Sequence, residues 1–157
     1  MSSSTKLNVD SSGVEVSPTL YKNIVGSLLY LTTSRPEIAF TVGVWAWYQA
    51  APKESHLIAV NIIIRYVNGT PDYGLWYSKD SKACLAGYLD ADWVGSMDDR
   101  KSTLGGCFYL GNNLVSWMSK KQNFVSLSTA EVEYITAGSC CTQLLWMKKL
   151  LHDYGIS

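Results

Sequence analysis

The sequence predicts an α+β fold with helices first, then a three-stranded antiparallel sheet and one long helix. Three observations predict it. Apolar residues at helical spacing, interrupted by prolines, occupy residues 18–68. Residues 85–127 show strand-like alternation around a Gly-Asn-Asn turn. A further apolar stripe of helical period follows residue 128.

The first half of the chain contains three predicted helices. Ser17 is a helix N-cap with proline at the first helical position, which predicts a helix through about residue 31. Pro36 ends the connection and starts a second helix, over 36–50. A third helix is predicted over about 53–68, and a short strand over 73–78.

The second half reads as three strands and a helix. The strands are predicted over 85–92, 104–110 and 114–127, with the second and third joined by the residues Gly-Asn-Asn, which tolerate the positive φ of a tight turn. Ser128 and Glu131 have the spacing of a capping box, which gives Glu131 a structural role at the helix start.

Two other acidic residues are candidates for a shared site. Asp90 lies near the end of the first strand, and Glu133 lies about 200° around the helix from Glu131. Helical steps from Glu133 follow an otherwise apolar stripe: Ala137, Cys140, Leu144, Met147 and Leu151. A carboxylate at the end of such a stripe is costly to bury alone, and a metal ion shared with Asp90 would compensate it.

Composition restricts the function classes. The 157 residues include 13 basic and 13 acidic side chains, so no global field attracts nucleic acid and such binding depends on local patches. The four cysteines have no zinc-binding spacing and are interpreted as buried thiols of a reducing compartment. The sequence has no signal peptide and no apolar run of membrane-spanning length, which predicts an intracellular protein, cytoplasmic or nuclear.

Four blocks resemble the ribonuclease H domain of copia-type LTR retrotransposon Pol polyproteins. They are GYLDADW at 87–93, DDRKST at 98–103, SWMSKKQ at 116–122 and LSTAEVEY at 127–134. Upstream, YKNIVGSLLYL at 21–31 and SRPEIA at 34–39 resemble the segment between the polymerase core and that domain. The resemblance covers roughly residues 18–156, and the blocks occur in the family's order and spacing.

The resemblance implies Mg²⁺-dependent cleavage of RNA in RNA/DNA hybrids, with metal ions held between carboxylates. By motif position, Asp90 and Glu133 match the first two of these catalytic, metal-binding carboxylates. The residues expected to contact nucleic acid are Arg100, Lys101, Lys120, Lys121 and Gln122. Without the resemblance, the charged loop at 98–101 is interpreted as solvated. The pair Lys120 and Lys121 serves equally well to prevent edge-to-edge pairing of an exposed strand.

Residues 1–17 are rich in serine and lack periodicity, which predicts a disordered tail. After it, the resemblance implies a thumb- or connection-like helical segment at 18–80 and a partial ribonuclease H-like domain at 81–157. The family's third and fourth acids have no counterpart here, and no Tyr-x-Asp-Asp polymerase signature occurs. We therefore expect weak Mg²⁺ binding and little turnover from this chain alone.

Two further expectations concern surfaces. Without a fourth strand, the strand over 85–92 is an open edge, which predicts self-association unless the strand over 73–78 covers it. Trp45 and Trp47 depart from the family pattern and are interpreted either as core or as a surface adapted to protein contact. The alternative to a ribonuclease H-like fragment is accordingly a non-catalytic module that binds nucleic acid or protein.

Overall fold

A computed structural model describes residues 10–79, 84–92, 101–123 and 125–156. The chain divides into two compact units, residues 1–75 and residues 76–157. The α+β fold is confirmed: helices come first, and a three-stranded antiparallel sheet with one long helix follows. Arg100 and the rest of the segment 93–100 lie outside the described residues.

Three α-helices form the first unit: α1 (Pro18–Leu31), α2 (Ala39–Ala46) and α3 (Glu54–Gly69). The Ser17 hydroxyl accepts a hydrogen bond from the Leu20 amide, as the predicted N-cap requires. The predicted second helix is shorter than expected. It begins as a 3₁₀ turn over Pro36–Ile38 and gives way to turns after Ala46.

An apolar core holds the first unit together. Its buried members are Tyr21, Val25, Leu28, Ile38, Val42, Trp45, Tyr48, Ala59, Val60 and Ile63. The Tyr21 hydroxyl donates a hydrogen bond of 2.8 Å to the Trp45 carbonyl, so this buried phenol is satisfied. Trp45 is therefore a core residue, whereas Trp47 is 37% exposed at the surface.

The predicted disordered tail is ordered where the structure describes it. Glu15 and Lys53 form an antiparallel bridge, and the Val16 amide donates to the Pro52 carbonyl at 3.2 Å. Residues 10–17 thus pair with the segment that enters α3, which satisfies backbone groups on both sides. Residues 1–9 lie outside the described part of the chain.

Strands β1 (Leu85–Asp92), β2 (Thr103–Leu110) and β3 (Asn113–Lys121) form the sheet of the second unit, in the order β1-β2-β3. Leu85 pairs with Leu110, and Asp92 pairs with Thr103. The turn between β2 and β3 is tight, and Gly111 takes a φ of 61°, a conformation that glycine adopts without strain. These limits confirm the first two predicted strands.

Helix α4 (Thr129–Asp153) packs on one face of this sheet. The buried core there consists of Phe108, Cys140 and Met147, with Leu85, Met118 and Leu144 packed around it. Gly87 allows a close approach, because a Cβ at this position would lie 3.1 Å from Cys140 Sγ and 3.1 Å from Leu144 Cδ1. The missing side chain in β1 therefore fixes which part of α4 lies over the strand.

Two strand predictions are wrong. Residues 73–78 form no strand, and β3 ends at Lys121 rather than at Leu127. In the sheet formed by the described residues, β1 is accordingly an edge strand, as expected.

The thiols are less buried than predicted. Cys140 is buried and Cys107 half-buried, but Cys84 and Cys141 are exposed, and all four are free thiols. Burial, together with the neighbouring Cys141 and Cys107, raises the pKa of Cys140. Within the described ranges, the helices are too short or too polar to cross a membrane.

Candidate carboxylate site at the end of the sheet

Asp90 lies near the end of the edge strand, opposite Gly105 of β2. The Cys84 carbonyl accepts a hydrogen bond from the Gly111 amide, so Cys84 directs its backbone groups toward β2. Backbone direction alternates along an antiparallel strand, which turns the amides of residues 85, 87, 89 and 91 away from β2. Asp90 Oδ1 accepts the Ala91 amide at 2.9 Å, and this places the carboxylate toward the open edge of the sheet.

Glu133 lies in the second turn of α4, two residues after Glu131 of the first turn. Ser128 Oγ accepts the Glu131 amide at 3.2 Å, and Glu131 Oε2 accepts the Leu127 amide at 2.8 Å. The capping interaction is confirmed, except that Glu131 reaches the residue before the N-cap. Glu131 is thus engaged, whereas Glu133 in the next turn is exposed.

The buried stripe of α4 begins one residue earlier than the sequence suggested. Val132 and Thr136 are buried, whereas Glu133 and Ala137 are exposed. Glu133 therefore lies on the flank of the helix and needs no buried partner. A carboxylate in this position is available to solvent and to a cation.

Helix geometry and strand geometry place Asp90 and Glu133 at the same end of the sheet. Strand β3 ends at Lys121, opposite Thr103, so the chain enters α4 from the end of the sheet that holds Asp90. Gly87 of β1 lies against Cys140 of α4, and Asp90 lies three residues further along β1, a distance of about 10 Å. Seven residues back along α4 cover roughly the same distance, about 10 Å, and reach Glu133.

The two carboxylates remain separate groups. Both are exposed, and across residues 10–79, 84–92, 101–123 and 125–156 no hydrogen bond or ion pair joins them. Nor do three or more His, Cys, Asp or Glu side chains cluster as metal ligands in those ranges. That Asp90 and Glu133 hold one ion stays a prediction.

The predicted nucleic-acid contacts do not share one surface. Lys120 pairs with Leu104 and Lys121 with Thr103, so the two lysines point to opposite faces of the sheet. Lys120 is exposed, whereas Lys101 and Lys121 are half-buried and take part in other interactions. The predicted strand over 114–127 already implied this, because adjacent side chains of a strand point to opposite faces.

Gln122 is buried rather than presented at the surface. Its backbone N–H donates a hydrogen bond of 2.8 Å to the Ser102 carbonyl. Its side-chain Oε1 accepts a hydrogen bond of 3.0 Å from the Ser126 hydroxyl. Its Nε2 has no hydrogen-bond partner among the residues that the structure describes. Gln122 thus fixes the turn from β3 toward α4, which means that its predicted contact with phosphate is not available in this conformation.

The opposite face of the sheet carries a groove that the motif analysis missed. Tyr88 and Tyr109 are its aromatic residues, with ring centroids 5.7 Å apart. The sequence signal that could have located this groove is the alternation of side chains along β1 and β2, which directs both tyrosines away from α4.

Comparisons with known proteins identify the relatives of this chain. It is 40% identical over 99% of its length to the "Retrovirus-related Pol polyprotein" from transposon RE2 and to that from transposon RE1, both of Arabidopsis thaliana. It is 38% identical over 81% of its length to "Secreted RxLR effector protein 161" of Plasmopara viticola, and it covers 90% of that protein. The chain belongs to the family of copia-type retrotransposon Pol polyproteins.

Within this family, the chain corresponds to a small part of the long members. It spans 11% of the length of the RE1 and RE2 Pol polyproteins. A Pol polyprotein from transposon TNT 1-94 of Nicotiana tabacum is also 40% identical, over 87% of this chain. No family model matches the chain, and no solved structure matches it significantly.

Proposed function

We propose that this Pol-related chain supplies two carboxylates of a ribonuclease H-like site, which acts on RNA in RNA/DNA hybrids. The observation that carries the proposal is the position of Asp90 and Glu133 at one end of the sheet, in a chain of the Pol family. Asp90 directs its carboxylate toward the edge of β1, and Glu133 lies on the flank of the helix that covers β1.

The donor set suits Mg²⁺, which prefers carboxylate oxygens and retains several waters. A bound ion would stabilise charge on the phosphodiester and lower the pKa of a coordinated water. The chain's own contribution is to supply two carboxylate ligands, of which one is held in place by a hydrogen bond and the other is exposed to solvent. The Ala91 amide orients the Asp90 carboxylate, while Glu133 is an exposed residue in the second turn of α4. Two carboxylates give weak binding, to be completed by substrate phosphate.

The direct test is cleavage of a labelled RNA/DNA hybrid by the purified chain in Mg²⁺. We expect slow cleavage that depends on Mg²⁺ and is lost in Asp90→Asn and in Glu133→Gln, because each variant keeps the shape of the side chain but removes its charge. The matched controls are Asp153→Asn, whose side chain is 62% exposed near the end of α4, and Glu54→Gln, in the first turn of α3. Both should cleave as the wild type does.

Contamination by a host nuclease is the main competing explanation of weak cleavage. Activity that persists in Asp90→Asn and Glu133→Gln at the wild-type rate would show that these carboxylates do not act on the hybrid. Complete absence of cleavage at high protein concentration would contradict the proposed activity for this chain. Mg²⁺ titration followed by NMR provides a second measurement, in which the Asp90 and Glu133 backbone signals should shift together.

A second candidate function is a non-catalytic binding module. The observation in its favour is the relative named a secreted RxLR effector, which is not a long polyprotein, since this chain covers 90% of it. If the module binds nucleic acid, affinity for the uncleaved hybrid should fall steeply with salt, because phosphate contacts release counterions. If binding of the hybrid does not depend on salt or on Mg²⁺, the hypothesis of a nucleic-acid-binding module is contradicted.

A further inference from the structure

The sheet of the second unit has a face that α4 does not cover. Gly87 and Phe108 point toward Cys140 and its neighbours on α4. Side chains alternate along each strand, so Tyr88 of β1 and Tyr109 of β2 point to the other face. Tyr88 is 63% exposed there.

A groove of about 470 Å³ lies on this face. Its lining residues are Ala86, Tyr88, Cys107, Tyr109, Gly111 and Asn112. The two tyrosine rings meet at 86°, and most of the Tyr88 side chain is exposed, so ring surface of Tyr88 is open to a stacking partner. Ala86 and Gly111 are small, so the groove has room beside the rings for a planar group.

The polar groups of the groove lie at one end, by the turn between β2 and β3. Asn112 is exposed, and its side-chain amide offers both donors and an acceptor, the combination that pairs with the edge of a nucleobase. Asn113 is bound to the backbone of Ser78 in both directions, at 2.7 Å and 2.9 Å. These two bonds place the exposed Lys79, the next residue in the chain, near the same turn.

The charges give the groove a direction. Lys79 supplies a cation beside the turn, whereas Asp90 lies two residues beyond Tyr88 toward the opposite end of β1. A phosphate is therefore attracted to the turn end and repelled from the Asp90 end, with the base between them. Aromatic side chains on an exposed antiparallel sheet are a known means of stacking bases.

We infer that this groove binds a purine nucleotide unit, with the base stacked on Tyr88, its edge at Asn112 and its phosphate near Lys79. The unit belongs either to a free nucleotide or to single-stranded nucleic acid. This inference does not depend on the proposed ribonuclease H-like site, because neither Asp90 nor Glu133 lines the groove and no divalent metal is needed.

The test is a binding titration in EDTA, followed by the NMR signals of the full chain. The probes are AMP, adenosine and a single-stranded oligoadenylate. We expect AMP to shift the signals of Tyr88 and Asn112, and adenosine to bind more weakly than AMP. Tyr88→Ala should weaken AMP binding roughly 5- to 150-fold, the range that base stacking on an aromatic side chain produces. Tyr88→Phe, which keeps the ring, should retain it.

Two variants separate the parts of the site. Lys79→Ala should weaken AMP but leave adenosine unchanged, because only AMP carries a phosphate. Tyr154→Ala is the matched control, since this tyrosine is 76% exposed at the end of α4, and it should bind AMP as the wild type does. Circular dichroism of each variant shows whether the fold is retained.

The source of the nucleotide follows from comparing probes. Oligoadenylate that binds at least tenfold more tightly than AMP would identify single-stranded nucleic acid as the ligand, and equal affinities would identify a free nucleotide. No shift at Tyr88 or Asn112 with millimolar AMP and with oligoadenylate would overturn the inference. So would wild-type affinity in a folded Tyr88→Ala variant. Loss of hybrid cleavage in Asp90→Asn, with AMP binding intact, would keep the two proposals distinct.

Discussion

The contact of α4 with Gly87 is the packing feature on which the carboxylate site depends. A Cβ at Gly87 would lie 3.1 Å from Cys140 Sγ and 3.1 Å from Leu144 Cδ1, whereas ordinary van der Waals contact begins at 3.4 Å. The change Gly87→Val adds this Cβ and two methyl groups where there is no room. Overpacking of this kind costs about 1–3 kcal/mol.

A loss of about 2 kcal/mol corresponds to a fall in melting temperature of roughly 8–16 °C for a unit of this size. The assay is urea unfolding of the full chain, followed by circular dichroism and by tryptophan fluorescence. Gly105→Val is the matched control. Only the Asp90 carbonyl approaches its Cβ position, at 3.9 Å, and valine is favoured in strands. We expect its stability to be unchanged or slightly increased.

Equal unfolding midpoints for Gly87→Val and the wild type would refute this reasoning. They would show that α4 does not lie against β1 at Gly87, and Asp90 and Glu133 would no longer be at the same level along the sheet. A large loss in both glycine variants would instead indicate that valine is harmful on either face. That result would also contradict the assignment of Gly87 to the face that α4 covers and of Gly105 to the opposite face.

Two further predictions concern pH and the start of α4. Burial raises the pKa of Tyr21 to about 12, above the value near 10 of an unfolded tyrosine, so its contribution to stability is complete below pH 10 and is lost as the pH rises toward 12. Between pH 10 and 12, the free energy of unfolding measured in urea should fall by about 3 kcal/mol in the wild type but not in Tyr21→Phe. Identical pH profiles of the two proteins would contradict this prediction. Ser128→Ala removes the acceptor for the Glu131 amide and should lower the free energy of unfolding by about 1 kcal/mol, measured in urea. Thr142→Ala, inside the same helix, should not lower it, and equal losses in both would argue against a specific cap.

The sequence by itself determined the elements whose signals are local. Ser17 and Pro18 marked the start of α1, and the period-2 pattern set β1 over Leu85–Asp92. Ser128 and Glu131 marked the start of α4. Each of these signals acts within about four residues, through a cap or an alternation, and so it is readable without the rest of the fold.

Only the tertiary structure decided how these elements meet. Cys140 fits against Gly87, and this contact selects Val132 rather than Glu133 as the start of the buried stripe. The Gln122 backbone amide bonds to the Ser102 carbonyl just beyond the end of β3, and Gln122 is buried although it looked like a surface contact. The partners in each case are at least 20 residues apart in sequence. Burial and hydrogen bonding across such separations depend on close packing in three dimensions, which a local pattern does not encode.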